Sequence, residues 1–97
     1  LKELIVAPGK GMSFQRHFKR NEIWFVSKGS CEVNFSESSP DNPSLIKLTT
    51  EEVFHVKIGN WHQIINPYEN PCHIIEIQYG EETNEDDIER LSYYAKN

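Results

Sequence analysis

The sequence lacks the features that mark several large classes of protein. It holds only two cysteines among its 97 residues, too few for the disulfide frameworks that staple small secreted domains. No apolar run approaches the ~20 residues that span a bilayer. The N-terminal LKELIVAPGKG also lacks the basic flank and apolar core of a signal peptide. We therefore expect a cytoplasmic protein that binds no membrane, with Cys31 and Cys72 both reduced.

A basic surface is also missing, and this argues against nucleic acid as a partner. The net charge is −5, and residues 81–90 hold six of the fifteen acidic residues but only one of the ten basic ones. The rest of the chain is balanced in charge and residues 81–90 are acidic, so the sequence predicts no basic surface that would bind a phosphate backbone. A chain of this length can close one hydrophobic core, so we expect a single domain over residues 1–97. Because the chain opens on Leu1 and not on Met, we also expect residues upstream of it.

Most of the chain has the pattern of short β-strands separated by turn residues. Eight segments rich in β-branched and aromatic residues are spaced as in an all-β sandwich or barrel; they are 2–7, 12–17, 22–29, 30–35, 45–50, 53–58, 62–67 and 72–79. Near the end, Asn84 is suited to cap a helix whose first turn is acidic. Ile88, Leu91 and Ala95 then form an apolar stripe at helical spacing. The sequence predicts an all-β fold followed by a short C-terminal helix.

A group of four side chains has the character of a metal site, and its members are Gln15, His17, Glu22 and His62. Gln15 and His17 are two residues apart on one strand and so point to the same face, while Glu22 follows the polar turn 19–21 on the strand that pairs back. An amide oxygen, two imidazoles and a carboxylate suit one divalent Zn, Mn, Fe, Co or Ni ion. His55 and His73 have no neighbour at ligand spacing, and we interpret both as structural.

The spacing of these residues resembles the two sequence motifs of the cupin superfamily. The first motif is carried by Gly9, Gln15, His17, Glu22 and Gly29, with Gln15 in the place of its first His. Part of the second motif is carried by Gly59, His62 and Asn66. Its opening Gly and its Pro are replaced by Glu51 and Lys57, so we expect the local turns to differ. The resemblance implies a cupin double-stranded β-helix, or jelly roll.

A closer resemblance extends over residues 2–95. The stretch VAPGKGMSFQRHFKRNEIWFVSKGSCEV is similar to the cupin part of the bifunctional, type II mannose-6-phosphate isomerase/GDP-mannose pyrophosphorylase enzymes. HQIINPYENPCHIIEIQYG and EDDIERLSYYA resemble two further signatures of that family. The resemblance implies a metal-dependent sugar-phosphate isomerase, in which the metal polarises a carbonyl and a general base moves a proton between adjacent carbons.

The resemblance also suggests which side chains act beside the metal. The catalytic candidates are Lys19, Arg20, Glu76 and Arg90. The three cations are candidates for phosphate or oxyanion contacts, and a solvated surface charge is the alternative for each. Lys19 stands where the family has a second His, so the change either removes an imidazole or supplies an ammonium. Glu76 is either the base or a structural partner of an arginine.

Other functions and the assembly stay open at this stage. A non-catalytic cupin that binds a sugar or sugar nucleotide is the main alternative, because Lys19 replaces a histidine. Another cupin enzyme, such as an epimerase, is a third possibility, since the fold hosts many chemistries. Trp24 and Trp61 could stack on a sugar ring, although an aromatic beside a motif more often belongs to the core. We expect a homodimer, because pairing the N-terminal strand with a second subunit would cover an exposed sheet edge.

Overall fold

Two antiparallel sheets face each other across the core. The computed structural model of the chain describes residues 1–93, and the nine strands there are β1 (Lys2–Val6), β2 (Ser13–Arg16), β3 (Arg20–Lys28), β4 (Ser30–Ser36), β5 (Ser44–Thr49), β6 (Val53–Val56), β7 (Trp61–Ile65), β8 (Cys72–Gly80) and β9 (Glu89–Tyr93). One sheet has the order β1-β8-β3-β6 and the other β5-β4-β7-β2-β9. The eight predicted strands are confirmed to within a few residues at each end. Within residues 1–93, no helix is long and apolar enough to cross a membrane.

Strand β3 shows why the sequence forms this sandwich. Its alternate side chains Arg20, Glu22, Trp24 and Val26 are buried, whereas those between them are more exposed. This period of two places every second side chain between the sheets. Residues from both sheets complete the apolar core, which contains Trp24, Val26, Cys31, Val33, Leu48, Val56, Ile64, Cys72 and Ile74. The polar residues of β3 lie at the end of the sandwich where its strand begins.

The predicted C-terminal helix is wrong for the residues that the structure describes. Asn84 accepts a hydrogen bond at Oδ1 from the backbone N–H of Asp86 at 2.9 Å, which closes a local turn. The chain then enters β9, which pairs antiparallel with β2. Leu91 of the proposed apolar stripe is 55% exposed, and Ala95 lies outside the described residues. Strand pairing with β2 satisfies the backbone of this segment in place of a helix.

The prediction of two reduced cysteines is also wrong in this structure. Cys31 on β4 and Cys72 at the start of β8 form a disulfide. Both residues are fully buried, and their Cα atoms are 6.0 Å apart, a separation that a disulfide spans. The sequence alone gave no sign of this proximity, because the two residues are 41 positions apart and meet only when the sheets stack.

The turn at Glu51 has a backbone conformation that glycine favours. Glu51 has a φ of 74°, in the left-handed region that favours glycine. Its N–H donates to the carbonyl of Val26 at 2.7 Å. The hydrogen bond to β3 holds the glutamate in this conformation, and the expected difference from the family pattern at Glu51 and Lys57 stays a prediction.

Candidate metal centre

The four predicted ligands come together between the two sheets. Gln15 on β2 and His62 on β7 are paired directly across the five-stranded sheet, and His17 follows β2. Glu22 reaches in from β3 of the opposite sheet, so the expected pairing of its strand back onto β2 is wrong. All four side chains are buried, and none is more than 9% exposed. The period of two along β2 and the antiparallel register of β2 and β7 therefore build one cluster from distant parts of the chain.

Three of these residues have the geometry of a metal-binding group. Nε2 of His17 lies 3.4 Å from Oε2 of Glu22, and Nε2 of His62 lies 4.0 Å from Oε1 of the same carboxylate. One donor atom from each of the three residues lies within 4.8 Å of the others, and no second such group of His, Cys, Asp or Glu occurs in residues 1–93. Small inward shifts of the three side chains would bring a single ion at the centre within bonding distance of all three, since metal–nitrogen and metal–oxygen bonds are about 2.0–2.2 Å.

Hydrogen bonds to backbone carbonyls orient both imidazoles. Nδ1 of His17 lies 2.6 Å from the carbonyl of Asp87, and Nδ1 of His62 lies 2.9 Å from that of Asn60. Because a carbonyl only accepts, Nδ1 carries the proton in each ring and Nε2 keeps its lone pair. Nε2 of His62 has no hydrogen-bond partner among the described residues. An orphaned buried acceptor of this kind is what a bound metal ion would satisfy, so the residues fit a divalent metal.

Gln15 lies beside the triad but faces it with its amide nitrogen. Its Oε1 accepts a hydrogen bond from the Ser13 hydroxyl at 2.6 Å, and its Nε2 lies 3.5 Å from Nε2 of His17. Rotation of the amide by half a turn exchanges the two atoms and points the oxygen at the triad. The role of Gln15 as a fourth ligand stays a prediction.

Arg20 covers the same carboxylate from the other side. Its guanidinium donates to Oε2 of Glu22 from Nε at 3.0 Å and from Nη2 at 2.9 Å. Nη2 also lies 3.1 Å from Nε2 of His17, and Nη1 lies 3.3 Å from Glu85 at the surface. Arg20 is only 4% exposed, so its charge is compensated by these carboxylates within the protein.

A second buried carboxylate lies next to Glu22. The indole N–H of Trp24 is 3.0 Å from Oε1 of Glu22 and 3.1 Å from Oε2 of Glu76, and it therefore bridges the two carboxylates. Nε2 of Gln78 donates to the other oxygen of Glu76 at 2.8 Å. Burial, and then the charge of Glu22, raise the pKa of Glu76. A carboxyl whose pKa is raised toward neutrality is suited to give and take protons.

The remaining two cationic candidates lie outside this cluster. The Lys19 ammonium is 3.1 Å from Glu82, and both side chains are about half exposed. Arg90 is exposed on β9, where it pairs in register with Gln15. The structure thus places Arg20 and Glu76 in the centre and leaves Lys19 and Arg90 at its rim.

The pKa of His62 predicts that the metal-free protein loses stability in mild acid. Burial lowers the pKa of His62 to about 4 and also lowers that of His17. The unfolded chain then binds protons first, so the contribution of these histidines to stability is complete above pH 6.5 and is lost as the pH falls toward 4. At about 1.4 kcal/mol per pH unit, His62 alone accounts for a loss of about 3 kcal/mol. We expect urea unfolding in EDTA to show this decline between pH 7 and pH 4.5.

A matched pair of variants separates this effect from general acid sensitivity. His62→Gln removes the titrating ring, and we expect its stability to vary less with pH than that of the wild type. His55→Gln changes an exposed histidine on β6, and its curve should parallel the wild type. Parallel curves for all three proteins would show that His62 does not cause the decline.

Sequence reasoning missed the groups that orient the ligands. These are the carbonyls of Asn60 and Asp87 and the side chain of Trp24, with Glu85 behind Arg20. The Asp87 carboxylate accepts the backbone N–H groups of Phe18 and Lys19 at 3.0 and 2.8 Å, which holds the segment before β9 against the end of β2. The acidic run 85–87 is visible in the sequence, but its pattern predicts a helix N-terminus and not a contact with the end of β2.

Comparison with known proteins shows which sequences and structures this chain resembles. The family model described as mannose-6-phosphate isomerase C-terminal matches residues 1–93. Among curated proteins, the chain is 37% identical over 91 residues to the alginate biosynthesis protein AlgA of Pseudomonas putida. It is also 37% identical over 89 residues to a protein of Vibrio cholerae named as a putative mannose-1-phosphate guanylyltransferase. These alignments cover 94% and 91% of this chain but only 18% of each relative.

Solved structures show the same fold at lower sequence identity. The capsular polysaccharide assembling protein CapF of Staphylococcus aureus superposes with a TM-score of 0.80 at 22% identity, over 93% of this chain and 27% of that one. A Cupin 2 conserved barrel domain protein from Salinispora arenicola has a TM-score of 0.69 at 20% identity, over 81% of this chain and 60% of that one. The expected cupin jelly roll is confirmed.

Proposed function

The chain belongs to the mannose-6-phosphate isomerase C-terminal family, and from that premise we propose that it is a metal-dependent sugar-phosphate isomerase. The reaction would interconvert an aldose phosphate and a ketose phosphate of the mannose 6-phosphate type. The convergence of His17, Glu22 and His62, with both Nε2 lone pairs directed inward, is the observation that carries the proposal. Because the chain spans about a fifth of its curated relatives, whose alignments cover 18% of each, their other activities are not assigned to it.

The proposed chemistry combines one divalent metal with the buried carboxylate of Glu76. A Zn, Mn, Fe, Co or Ni ion held by His17, Glu22 and His62, with Gln15 as the predicted fourth ligand, would polarise the sugar carbonyl. Glu76 would take the proton from the carbon beside that carbonyl and return it to the former carbonyl carbon, while the hydroxyl proton of the adjacent carbon passes to the former carbonyl oxygen. Trp24 and Gln78 hold this carboxylate through one hydrogen bond to each of its oxygens.

The cationic residues are proposed to bind the anionic parts of the substrate. Arg20 would contact the developing oxyanion or the phosphate, because its guanidinium already reaches the donor atoms of His17 and Glu22. Lys19 and Arg90 lie at the rim and are proposed phosphate contacts. Lys19 would have to leave Glu82, its partner at 3.1 Å, to take that role.

A coupled assay tests the isomerase directly. The chain is stripped with chelator, reloaded in turn with Zn, Mn, Fe, Co or Ni, and supplied with mannose 6-phosphate while fructose 6-phosphate is measured. Turnover that needs one of these metals supports the proposal. An absence of turnover with every metal, from protein shown to be loaded and folded, would reject it.

Glu76→Gln is expected to abolish turnover while leaving the protein folded. The amide keeps the shape of the carboxyl group but cannot accept the substrate proton, so we expect a loss of about 100-fold or more in kcat, in line with general-base catalysis. The free energy of unfolding at pH 8 should rise, because a buried carboxylate with a raised pKa is unfavourable when ionised. The assay above and urea unfolding measure the two effects.

Glu69→Gln is the matched control, since Glu69 is exposed in the turn before β8. It should retain both the activity and the stability of the wild type. If Glu76→Gln keeps full activity, the base lies elsewhere and Glu76 is a structural partner of Trp24 and Gln78.

A non-catalytic sugar-binding domain is the second candidate. It is favoured by Lys19, which stands where related enzymes have a histidine and turns instead to Glu82 at the surface. This candidate predicts saturable binding of mannose 6-phosphate by calorimetry with no product formed. Detectable turnover would exclude it.

A further inference from the structure

The guanidinium of Arg20 donates hydrogen bonds to the same lone pairs with which His17 and Glu22 would bind a metal ion. Its Nη2 lies 2.9 Å from Oε2 of Glu22 and 3.1 Å from Nε2 of His17, and its Nε adds a 3.0 Å hydrogen bond to the same carboxylate oxygen. Both of those acceptors are only 2% exposed. Water therefore cannot easily replace the guanidinium at these positions.

The contact with His17 excludes simultaneous metal binding at that nitrogen. Nδ1 of His17 carries the proton that is shared with the carbonyl of Asp87, so the only lone pair of the ring is at Nε2. An imidazole nitrogen has a single lone pair in the ring plane. It cannot accept an N–H from Arg20 and also bind an ion at about 2.1 Å.

We propose that Arg20 competes with the metal ion for the triad of His17, Glu22 and His62. The Arg20 guanidinium must leave His17 before the triad can bind an ion. The inference rests on the proposed metal site and assigns its regulation. Arg20 thereby sets the metal affinity: its positive charge balances Glu22 until an ion takes over that role. Loading then releases a guanidinium at the edge of the site, where it becomes available to an anionic ligand.

Glu85 provides a place to which the released guanidinium can move. Nη1 of Arg20 is already 3.3 Å from Oε1 of Glu85, which also accepts the Lys2 ammonium at 2.9 Å. Glu85 is 64% exposed, so a shift of Arg20 toward it moves the guanidinium outward without leaving the charge unpaired. The displacement therefore gives up Glu22 and keeps the carboxylate partner that Arg20 already has in Glu85.

The test compares the zinc affinity of Arg20→Met with that of the wild type. Methionine removes the charge and the donors while filling much of the same space. Charge-assisted hydrogen bonds of this kind are strong enough that we expect the dissociation constant for Zn²⁺ to fall by about 10-fold or more. A chromophoric chelator competing for Zn²⁺ gives the constant without any measurement of activity.

Arg16→Met is the matched control. Arg16 is the neighbouring arginine on β2, and it pairs with Glu89 at 2.8 Å away from the triad. Its loss should leave the zinc affinity unchanged within about twofold, as expected for a surface ion pair. An equal or weaker affinity in Arg20→Met would overturn the proposal and make Arg20 a positioning partner of Glu22.

A second measurement on the wild-type chain covers the case in which Arg20→Met does not fold. Arginine side-chain NMR follows the Nε–H signals during a zinc titration, with Arg16 as the internal reference. We expect the Arg20 signal to move in step with zinc occupancy, and an unchanged signal at saturation would overturn the proposal. Failure of the isomerase is a separate result. Tighter zinc binding by Arg20→Met retains this inference even where the wild-type chain shows no turnover, which rejects the enzyme. Wild-type turnover with an unaltered zinc affinity in Arg20→Met does the reverse.

Discussion

His17→Ala and His62→Ala should each lower the affinity for Zn²⁺ by more than about 100-fold, because loss of an outer-shell partner alone costs about 10- to 100-fold and these residues are proposed as direct ligands. Each substitution leaves two of the three convergent donors in place. Sugar-phosphate turnover should disappear with the metal. Elemental mass spectrometry on tag-free protein gives the metal content, and chelator competition gives the affinity.

The two remaining histidines of the chain provide the control for this experiment. His55 is exposed on β6, and His73 on β8 lies 3.6 Å from Glu3, outside the centre. His55→Ala and His73→Ala should keep close to one equivalent of metal. Wild-type protein that takes up none of the five metals would show that the cupin site is only a scaffold, and metal-dependent isomerisation would then be abandoned.

The convergence of His17, Glu22 and His62 was predictable from the sequence because strand geometry has few degrees of freedom. Side chains two apart on β2 must share a face, and the antiparallel pairing of Gln15 with His62 then brings two distant motifs together. The family resemblance identified Glu22 as the partner of these side chains, since residue spacing alone does not predict which strand Glu22 will face. The eight strands were predictable for a similar reason: turn residues separate short alternating segments.

The features that were missed depend on contacts between residues far apart in the chain. β9 forms because β2 offers an unpaired edge. The helical spacing of residues 88, 91 and 95 is a local pattern and does not predict this pairing. The Cys31–Cys72 disulfide joins the two sheets. The hydrogen bond from Trp24 to Glu76 joins β3 and β8, which are far apart in the sequence. Local propensity is a weak guide where tertiary pairing supplies the hydrogen bonds.

Arg20 shows a different limit of sequence analysis. Its place in the family pattern marked it as a candidate for anion binding, and alternation along β3 directed it inward. The sequence could not show that its guanidinium would share acceptors with the metal site, because this depends on two contacts of about 3 Å. Such distances exist only once both sheets are in place.

Gly29→Ala should cause the larger loss of stability in a matched pair of glycine variants. Gly29 connects β3 to β4 with a φ of +83°, and a Cβ there would lie 2.5 Å from the carbonyl oxygen of Pro71. The left-handed conformation costs about 1–2 kcal/mol for a residue with a side chain, and the backbone displacement adds about 1–3 kcal/mol. We expect the free energy of unfolding to fall by about 2–5 kcal/mol, as measured in urea.

Gly59→Ala isolates the conformational part of that loss. Gly59 has the same φ of +83°, but a Cβ there meets nothing within 4 Å, so only the cost of about 1–2 kcal/mol applies. Both glycines belong to the cupin motifs, and the pattern alone treats them alike. Equal losses in the two variants would mean that the backbone near Pro71 moves away from the new Cβ without a cost in stability. Both positions would then require glycine only for its positive φ. A clearly larger loss at Gly29 would show that this motif glycine is also required by the close packing of β8 against the β3–β4 turn.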